Sequence, residues 1–409
     1  MYARVSRVDS LSTSPHRRAS FEFDCIDADY VDGVGAQLLE GFRAEQTKPF
    51  ALLRVVTTPP RFADFAGSTP VPGDWFYIEI EPGVTGPPTW HSQLEANGYS
   101  THARGSMTYA QRLDGPDHTP GPRSRAQPLG AAVAPRPVLP SSLAIACAAL
   151  PKPARRSEIS TILKRVVQPA SVLVRDVGQA SFITLCDGAG RAILHFDVGF
   201  PISFNRHTFP ADFDIDRTEK PPIILSHWDW DHLHGAFHLP HLLECPWIVP
   251  DQPLGPGAAR LARILLGKGN LLVRPDTARI RFPFGELVQS RGPTGDLNDS
   301  GLTVLVTLTS GRSALLTGDA DYVHLVHAKA KAVDHLIATH HGARFSAGVA
   351  TVPTPNSRDC TLLISYGCRN VYRHPHPEAL QKHTKAGWTR CVTTAGRKGI
   401  ASRGSRVVD

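Results

Sequence analysis

Short apolar runs punctuated by Gly, Pro and Asp set the pattern of this chain, and the pattern changes character twice. Near the N-terminus Val34, Leu38, Leu39 and Phe42 recur close to helical spacing and predict a short helix over residues 34–42. Residues 51–56 form an apolar run stopped by Pro59-Pro60, and residues 75–80 alternate; both predict strands. Residues 1–112 therefore read as a small α+β module. From 113 to 153 the composition turns to Pro, Gly, Ala and Arg, with Gly115-Pro116, Thr119-Pro120-Gly121-Pro122 and Pro135-Arg136-Pro137. Such a stretch reads as a semi-extended linker.

Residues 154–409 resume with a helix that Ser157 is placed to cap, its stripe being Ile159, Ile162, Leu163 and Val166. Strands follow over 172–175, 182–186 and 192–197, the last two joined through Asp187-Gly188-Ala189-Gly190. Further strands are predicted at 223–225, 247–249, 271–273 and 286–289, with a helix at 258–266. A second hairpin, 302–309 with 313–317, turns at Ser310-Gly311-Arg312. A helix from about Tyr322, strands at 335–339 and 362–366 and a helix at 377–386 complete the series. Hairpins followed by strand–helix alternation, twice over, predict an α/β (α+β) fold of two sheets packed face to face with helices outside.

Candidate chemistry sits at the strand ends. The run Leu225-Ser226-His227-Trp228-Asp229-Trp230-Asp231-His232-Leu233-His234-Gly235 follows a short apolar strand. Imidazole and carboxylate groups crowded on one tight loop repel or desolvate badly without a cation, and both are metal ligands. Four more polar groups also follow apparent strands: Asn298-Asp299-Ser300-Gly301, Thr317-Gly318-Asp319, His340-His341-Gly342 and His374-Pro375-His376-Pro377. Loops leaving one edge of a sheet converge, so these residues can line one cleft. Asp319 taken alone has a simpler reading as the cap of the next helix. Together with the first motif, the set points to a dinuclear metal site.

The order H-x-D-x-D-H, T-G-D, H-H-G and H-P resembles the metallo-β-lactamase superfamily, and within it most closely the nuclease domain of ComEC-type competence proteins. Asp176-Val177-Gly178-Gln179 and Ser365-Tyr366-Gly367 add to the likeness, which spans roughly residues 170–400 and leaves the first 150 untouched. The resemblance implies an αββα sandwich. It implies His227 and Asp229 on a first metal, Asp231 and His232 on a second, Asp319 bridging, and His340 or His374 as the remaining ligand. Asp229 stands where the superfamily usually has a second His, and no His accompanies Asn298. Carboxylate in place of imidazole hardens the site, favouring Mn²⁺ or Mg²⁺ while Zn²⁺ still tolerates it. Two such divalent cations can hold a bridging hydroxide, lowering the pKa of water from 15.7 towards ~7, and can neutralise phosphodiester oxygens. His341 or His374, whichever is not a ligand, is then a proton donor to the leaving oxygen, and Asn298 a hydrogen-bond donor to a phosphoryl oxygen.

Composition narrows this reading only slightly. At 409 residues two domains are the default, and 41% hydrophobic with 20% charged residues suits a globular protein. A net charge of +7 mildly favours an anionic partner such as nucleic acid. The 7 cysteines include no C-x-x-C pair, which favours reduced thiols over a disulfide framework. The N-terminal residues lack an apolar core of signal-peptide length, and the longest apolar run, 143–150, is far short of the ~20 residues that span a bilayer. The expectation is a cytoplasmic phosphodiesterase or nuclease, with no membrane partner and with residues 1–112 available to a protein partner. The rival readings are a hydrolase of a small ester, lactone or thioester, and a binding module on a degenerate scaffold.

Overall fold

The computed structural model describes residues 1–11, 18–35, 47–113, 138–148, 150–151, 153–213, 215, 219–274, 279–327, 332–396 and 402–409. They form two compact units: Met1–Gln93, Ala103–Ala149 and Leu254–Ala259 in the first, and Leu94–His102, Leu150–Pro253 and Arg260–Asp409 in the second.

The first unit is built on six antiparallel strands, β1 (Tyr2–Ser10), β2 (Ala19–Ile26), β3 (Phe50–Thr57), β4 (Trp75–Glu81), β5 (Pro88–Gln93) and β6 (Ala103–Arg112). They close into a barrel in the order β1-β2-β3-β5-β6-β4. Alternation along the strands explains the closure: Phe21, Phe23 and Cys25 of β2 share one apolar cluster with Ala51, Leu53 and Val55 of β3, Phe76, Ile78 and Met107. Phe62 and Ala66, from the helix Pro59–Ala66, join that cluster. A closed sheet leaves no unpaired edge. The helix near the N-terminus is Ala28–Val34, capped by Asp27, and most of the helix predicted at 34–42 lies outside the described residues. In the stretch predicted as a linker, Ser141–Ala148 is helical, and residues 114–137 lie outside the described residues.

The second unit is the expected αββα sandwich. Its first sheet contains β7 (Ser171–Val174), β8 (Phe182–Cys186), β9 (Ala192–Val198), β10 (Ile223–Ile224), β11 (Trp247–Val249) and β12 (Leu271–Val273). Its second contains β13 (Ile280–Phe282), β14 (Gly285–Gln289), β15 (Leu302–Thr307), β16 (Ser313–Leu316), β18 (His335–Ile337), β20 (Thr361–Ile364) and β21 (Arg390–Thr393). A minor pair is formed by β17 (Ala332–Val333) and β19 (Thr354–Pro355), and the C-terminal β22 (Arg406–Val408) extends the first sheet beside β7. Val172, Ile183 and Phe196 of one sheet meet Leu302, Val304 and Leu316 of the other in the central core, with Ile159 and Leu163. On the far face of the second sheet Leu315, Leu336 and Leu362 pack with Ala379 of the helix Pro377–Lys385 and with Trp388.

Register positions the site. β9, β10 and β11 are parallel, as are β16, β18, β20 and β21. Parallel neighbours end on the same edge, so the loops after them meet there. Ile224 lies opposite Phe196 and Leu316 opposite Ile337, which brings Ser226 to Asp197 and Asp319 to the His340 turn.

Two local expectations are corrected. Ser157 does not cap its helix: the N-cap is Arg155, two residues earlier, and the Arg155 N–H donates to Glu158 Oε2 at 2.7 Å. The helix expected from Tyr322 is a single 3-10 turn, Tyr322–His324, because Tyr322 is buried against Phe345 and His383. β22 was not anticipated, since three residues are too few to show alternation. Among the described residues no helix is long and apolar enough to cross a membrane.

His195 gives the second unit a testable pH dependence. Burial, then the positive charges of Arg175 and His241, push its pKa from the ordinary 6.5 down to about 3. An imidazole kept neutral in the folded chain stabilises fully above pH 6.5, and that contribution is lost as pH falls from 6.5 towards 3. Between pH 7.5 and 5 this one group should remove about 2 kcal/mol of unfolding free energy. Urea unfolding of wild type and His195→Gln across that range should show a shallower slope in the variant; equal slopes would contradict it.

Candidate metal centre

The ligand loop is pinned before its ligand-type residues begin. The Ser226 N–H donates to Asp197 Oδ1 at 2.7 Å and its hydroxyl to Oδ2 at 2.9 Å. Trp228 is buried, with its indole N–H on the Pro250 carbonyl at 3.1 Å, and Trp230 packs edge-on to Tyr99. Asp229 Oδ1 accepts from the Trp230 N–H at 2.7 Å and caps the short helix Trp230–Leu233, whose turn carries Asp231 and His232 inward. Gly199 is required at the end of β9: a Cβ there would run into the Asp231 carbonyl. Gly318, at φ +55, lets β16 pass close to Ser226, and Asp319 follows directly. His340 and His341 both hold left-handed backbone, at φ 49° and 54°. For two adjacent non-glycine residues that is a strained turn of the kind found at functional sites.

These loops bring together two groups of three donors, His227–His232–Asp319 and Asp231–His232–His341, all buried and each with its donor atoms within 4.8 Å of one another. His232 Nε2 lies 3.1 Å from Asp319 Oδ1 and 3.8 Å from Asp231 Oδ1. Asp319 Oδ2 lies 3.4 Å from His340 Nε2 and 3.9 Å from His227 Nε2. His341 Nε2 is 3.3 Å from Asp231 Oδ2. Among the described residues the Nε2 atoms of His227, His232 and His341, and Asp319 Oδ2, are buried without a hydrogen bond.

The other nitrogen of each ring explains this. His232 Nδ1 faces Asp197 Oδ2 at 2.7 Å, His341 Nδ1 faces the Ser365 carbonyl at 2.9 Å, and His227 Nδ1 faces the Ser226 hydroxyl at 2.9 Å. A carboxylate or carbonyl oxygen only accepts, so His232 and His341 carry hydrogen on Nδ1. Once neutral they offer the Nε2 lone pair to a cation. Burial disfavours charge on His232, but Asp319 and Asp197 outweigh it and lift its pKa well above the usual value. Burial likewise pushes Asp319 up, and the imidazoles of His232 and His340 overturn this, holding it well below the usual carboxylate range. Burial and the neighbouring His232 keep His227 neutral. Two carboxylates and four imidazoles in this arrangement fit a divalent cation.

The remaining expected residues fall elsewhere. Asp229 enters neither donor group and serves as the loop's helix cap. His374 enters neither of these two groups, and His341, expected as a proton donor, occupies the place at Asp231. The Gly367 N–H donates to Gln179 Oε1 at 3.2 Å, which fixes the amide so that Gln179 Nε2 faces His374 Nδ1 at 3.4 Å. His374 Nδ1 is thereby the acceptor, and its ring hydrogen sits on Nε2, the reverse of His341. Asn298, its N–H on Asp296 Oδ1 at 3.0 Å, lines a polar cleft with Asp299, Asp319, Asp321, His340 and Arg344. Asp197 was missed from the sequence. Its signal is a carboxylate at the penultimate position of a strand that runs parallel to the ligand-bearing one.

No family model and no curated protein matches the chain. Solved structures give loose overlaps. Zn²⁺-bound PqqB from Methylobacterium extorquens covers 58% of this chain and 99% of its own at TM-score 0.35 and 11% identity. A possible metal-dependent hydrolase from Veillonella parvula covers 59% and 99% at 0.35 and 12%. MEM-A1, a subclass B3 metallo-β-lactamase from a soil metagenome library, covers 54% and 94% at 0.28 and 15%.

If Asp197 fixes the ring of His232, Asp197→Asn should weaken Mn²⁺ or Zn²⁺ binding by about 10–100-fold, the range for partners that orient a ligand. Equilibrium dialysis with elemental analysis reads this directly, with circular dichroism confirming the fold. An unchanged dissociation constant would refute it.

Proposed function

We propose that the second unit is a dinuclear-metal-dependent hydrolase of the metallo-β-lactamase superfamily that cleaves phosphodiester bonds in nucleic acid. The observation that carries the reading is the pair of opposed tautomers. His232 and His341 are locked to present Nε2 lone pairs beside two carboxylates, while Gln179 leaves His374 with hydrogen on Nε2. A set of ligands and a separate proton donor are the parts that hydrolysis at a metal centre needs.

His232 has one nitrogen to offer and serves one cation. Asp231, His232 and His341 form one site; His227 and His340 form the other, with Asp319 between them, its Oδ1 towards His232 and Oδ2 towards His227 and His340. When bound, divalent cations supply an activated water at neutral pH and offset the charge that builds on phosphoryl oxygens. His374 supplies the proton that the departing oxygen requires, with Gln179 as the residue that positions it. Asn298 lies in the cleft where a phosphoryl oxygen would accept from its amide. Carboxylates at both sites favour hard cations such as Mn²⁺ or Mg²⁺, with Zn²⁺ tolerated. The net charge of +7 suits an anionic polymer.

The test is turnover of bis-p-nitrophenyl phosphate and of single- and double-stranded DNA and RNA with added Mn²⁺ or Zn²⁺, beside p-nitrophenyl acetate, a γ-lactone and a β-lactam. Phosphodiester turnover that falls more than about 100-fold in Asp231→Asn, a larger loss than removal of an orienting partner gives, is expected. Turnover of the ester or lactone alone would overturn the phosphodiester assignment. Activity surviving in His227→Ala would overturn the site.

A further inference from the structure

Among the described residues the polar cleft at His340 is lined by one arginine, Arg344, and by four acidic side chains, Asp296, Asp299, Asp319 and Asp321. Asp319 faces His232 and His340 in the donor group, and the other three belong to the cleft wall. These three are already engaged. Asp296 Oδ1 accepts from the N–H groups of Asn298 and Asp299 at 3.0 and 3.2 Å. Asp299 Oδ1 accepts from the Asp321 N–H at 2.9 Å, and Asp299 Oδ2 faces His324 Nε2 at 3.4 Å. Asp321 accepts from the N–H groups of Ser346, Ala347 and Val323. Each carboxylate holds a turn of the cleft wall, and its charge is partly met by the donors it has collected.

Arg344 is held from behind. Its Nε donates to His376 Nδ1 at 3.2 Å and lies 3.4 Å from Glu378 Oε2. His376 Nδ1 and Glu378 sit at the start of the helix Pro377–Lys385, and Glu378 is shared with Lys382 at 3.5 Å. Among the described residues Nη1 and Nη2 of Arg344 donate no hydrogen bond, although the side chain is only 26% exposed. A guanidinium anchored through Nε, with its two terminal nitrogens uncommitted in a cleft, has the planar fork that matches two oxygens of a phosphate.

Resting on the phosphodiesterase reading, we propose that Arg344 docks a second, non-reacting phosphate of the substrate. The substrate is then a nucleotide chain with a phosphate adjacent to the scissile diester, and Arg344 is a specificity-determining residue. A diester without the neighbouring phosphate leaves the fork unused.

The probes are the thymidine dinucleotide with and without a 5′-phosphate, titrated calorimetrically into metal-free protein and then assayed with Mn²⁺. Wild type should bind the phosphorylated dinucleotide about 10–100-fold more tightly, the range for a hydrogen-bonded charge pair. In Arg344→Ala that ratio should fall towards one, both in binding and in kcat/KM, while Arg344→Lys should recover part of it. An unchanged ratio in Arg344→Ala would overturn the proposal, as would a wild type that binds both dinucleotides alike. Failure of the phosphodiesterase reading shows separately, as wild type that turns over neither dinucleotide nor bis-p-nitrophenyl phosphate.

Discussion

The Asp197 carboxylate organises the metal centre without belonging to either group of donors. Fully buried, with left-handed backbone, it accepts from the Ser226 N–H, the Ser226 hydroxyl and His232 Nδ1. One anion thus fixes where the ligand loop leaves β10, which way the Ser226 hydroxyl points at His227, and which nitrogen His232 presents. A buried carboxylate is costly unless hydrogen-bonded, and three donors meet that demand. Removing any of them leaves charge unsatisfied in the interior, so the loop has little freedom to move away from its metal-binding arrangement.

Around this clamp the two sheets divide the work. β10 delivers His227, Asp231 and His232 from one sheet, and β16 and β18 deliver Asp319, His340 and His341 from the other. The donor set therefore exists only when the sheets are packed, and the apolar core holding them together is part of what keeps Nε2 of His341 3.3 Å from Asp231. Tautomer choice then separates roles among chemically identical side chains. A carbonyl behind His341 puts its ring hydrogen on Nδ1 and leaves Nε2 a lone pair, whereas an amide behind His374 leaves hydrogen on Nε2.

Much of this was legible in the chain. The H-x-D-x-D-H run announces itself because four ligand-type residues on a six-residue loop have no economical structural reading, and Asp319 and the His340-His341 pair follow apolar runs long enough to read as strands. Asp229 was less readable. Its spacing is that of a ligand, and the backbone N–H of Trp230 takes one of its two oxygens, Oδ1, so that the same side chain also caps the helix. The choice between His341 and His374 was beyond the sequence, because the Ser365 carbonyl and the Gln179 amide that decide it lie 24 and 195 residues away. Arg344 went unremarked for a similar reason: nothing local marks an arginine whose Nε is held by a residue of the following helix cap.

The left-handed turn at His340 and His341 bears on how a cation would be taken up. Two strained residues and a cluster of like-charged or desolvated groups raise the free energy of this edge, and contacts that span both sheets hold them in place. A cation would neutralise the crowding while drawing on the same contacts. Ordering of this edge and filling of the site would then be coupled in a single equilibrium, in which an ion would act as a late structural member of the fold.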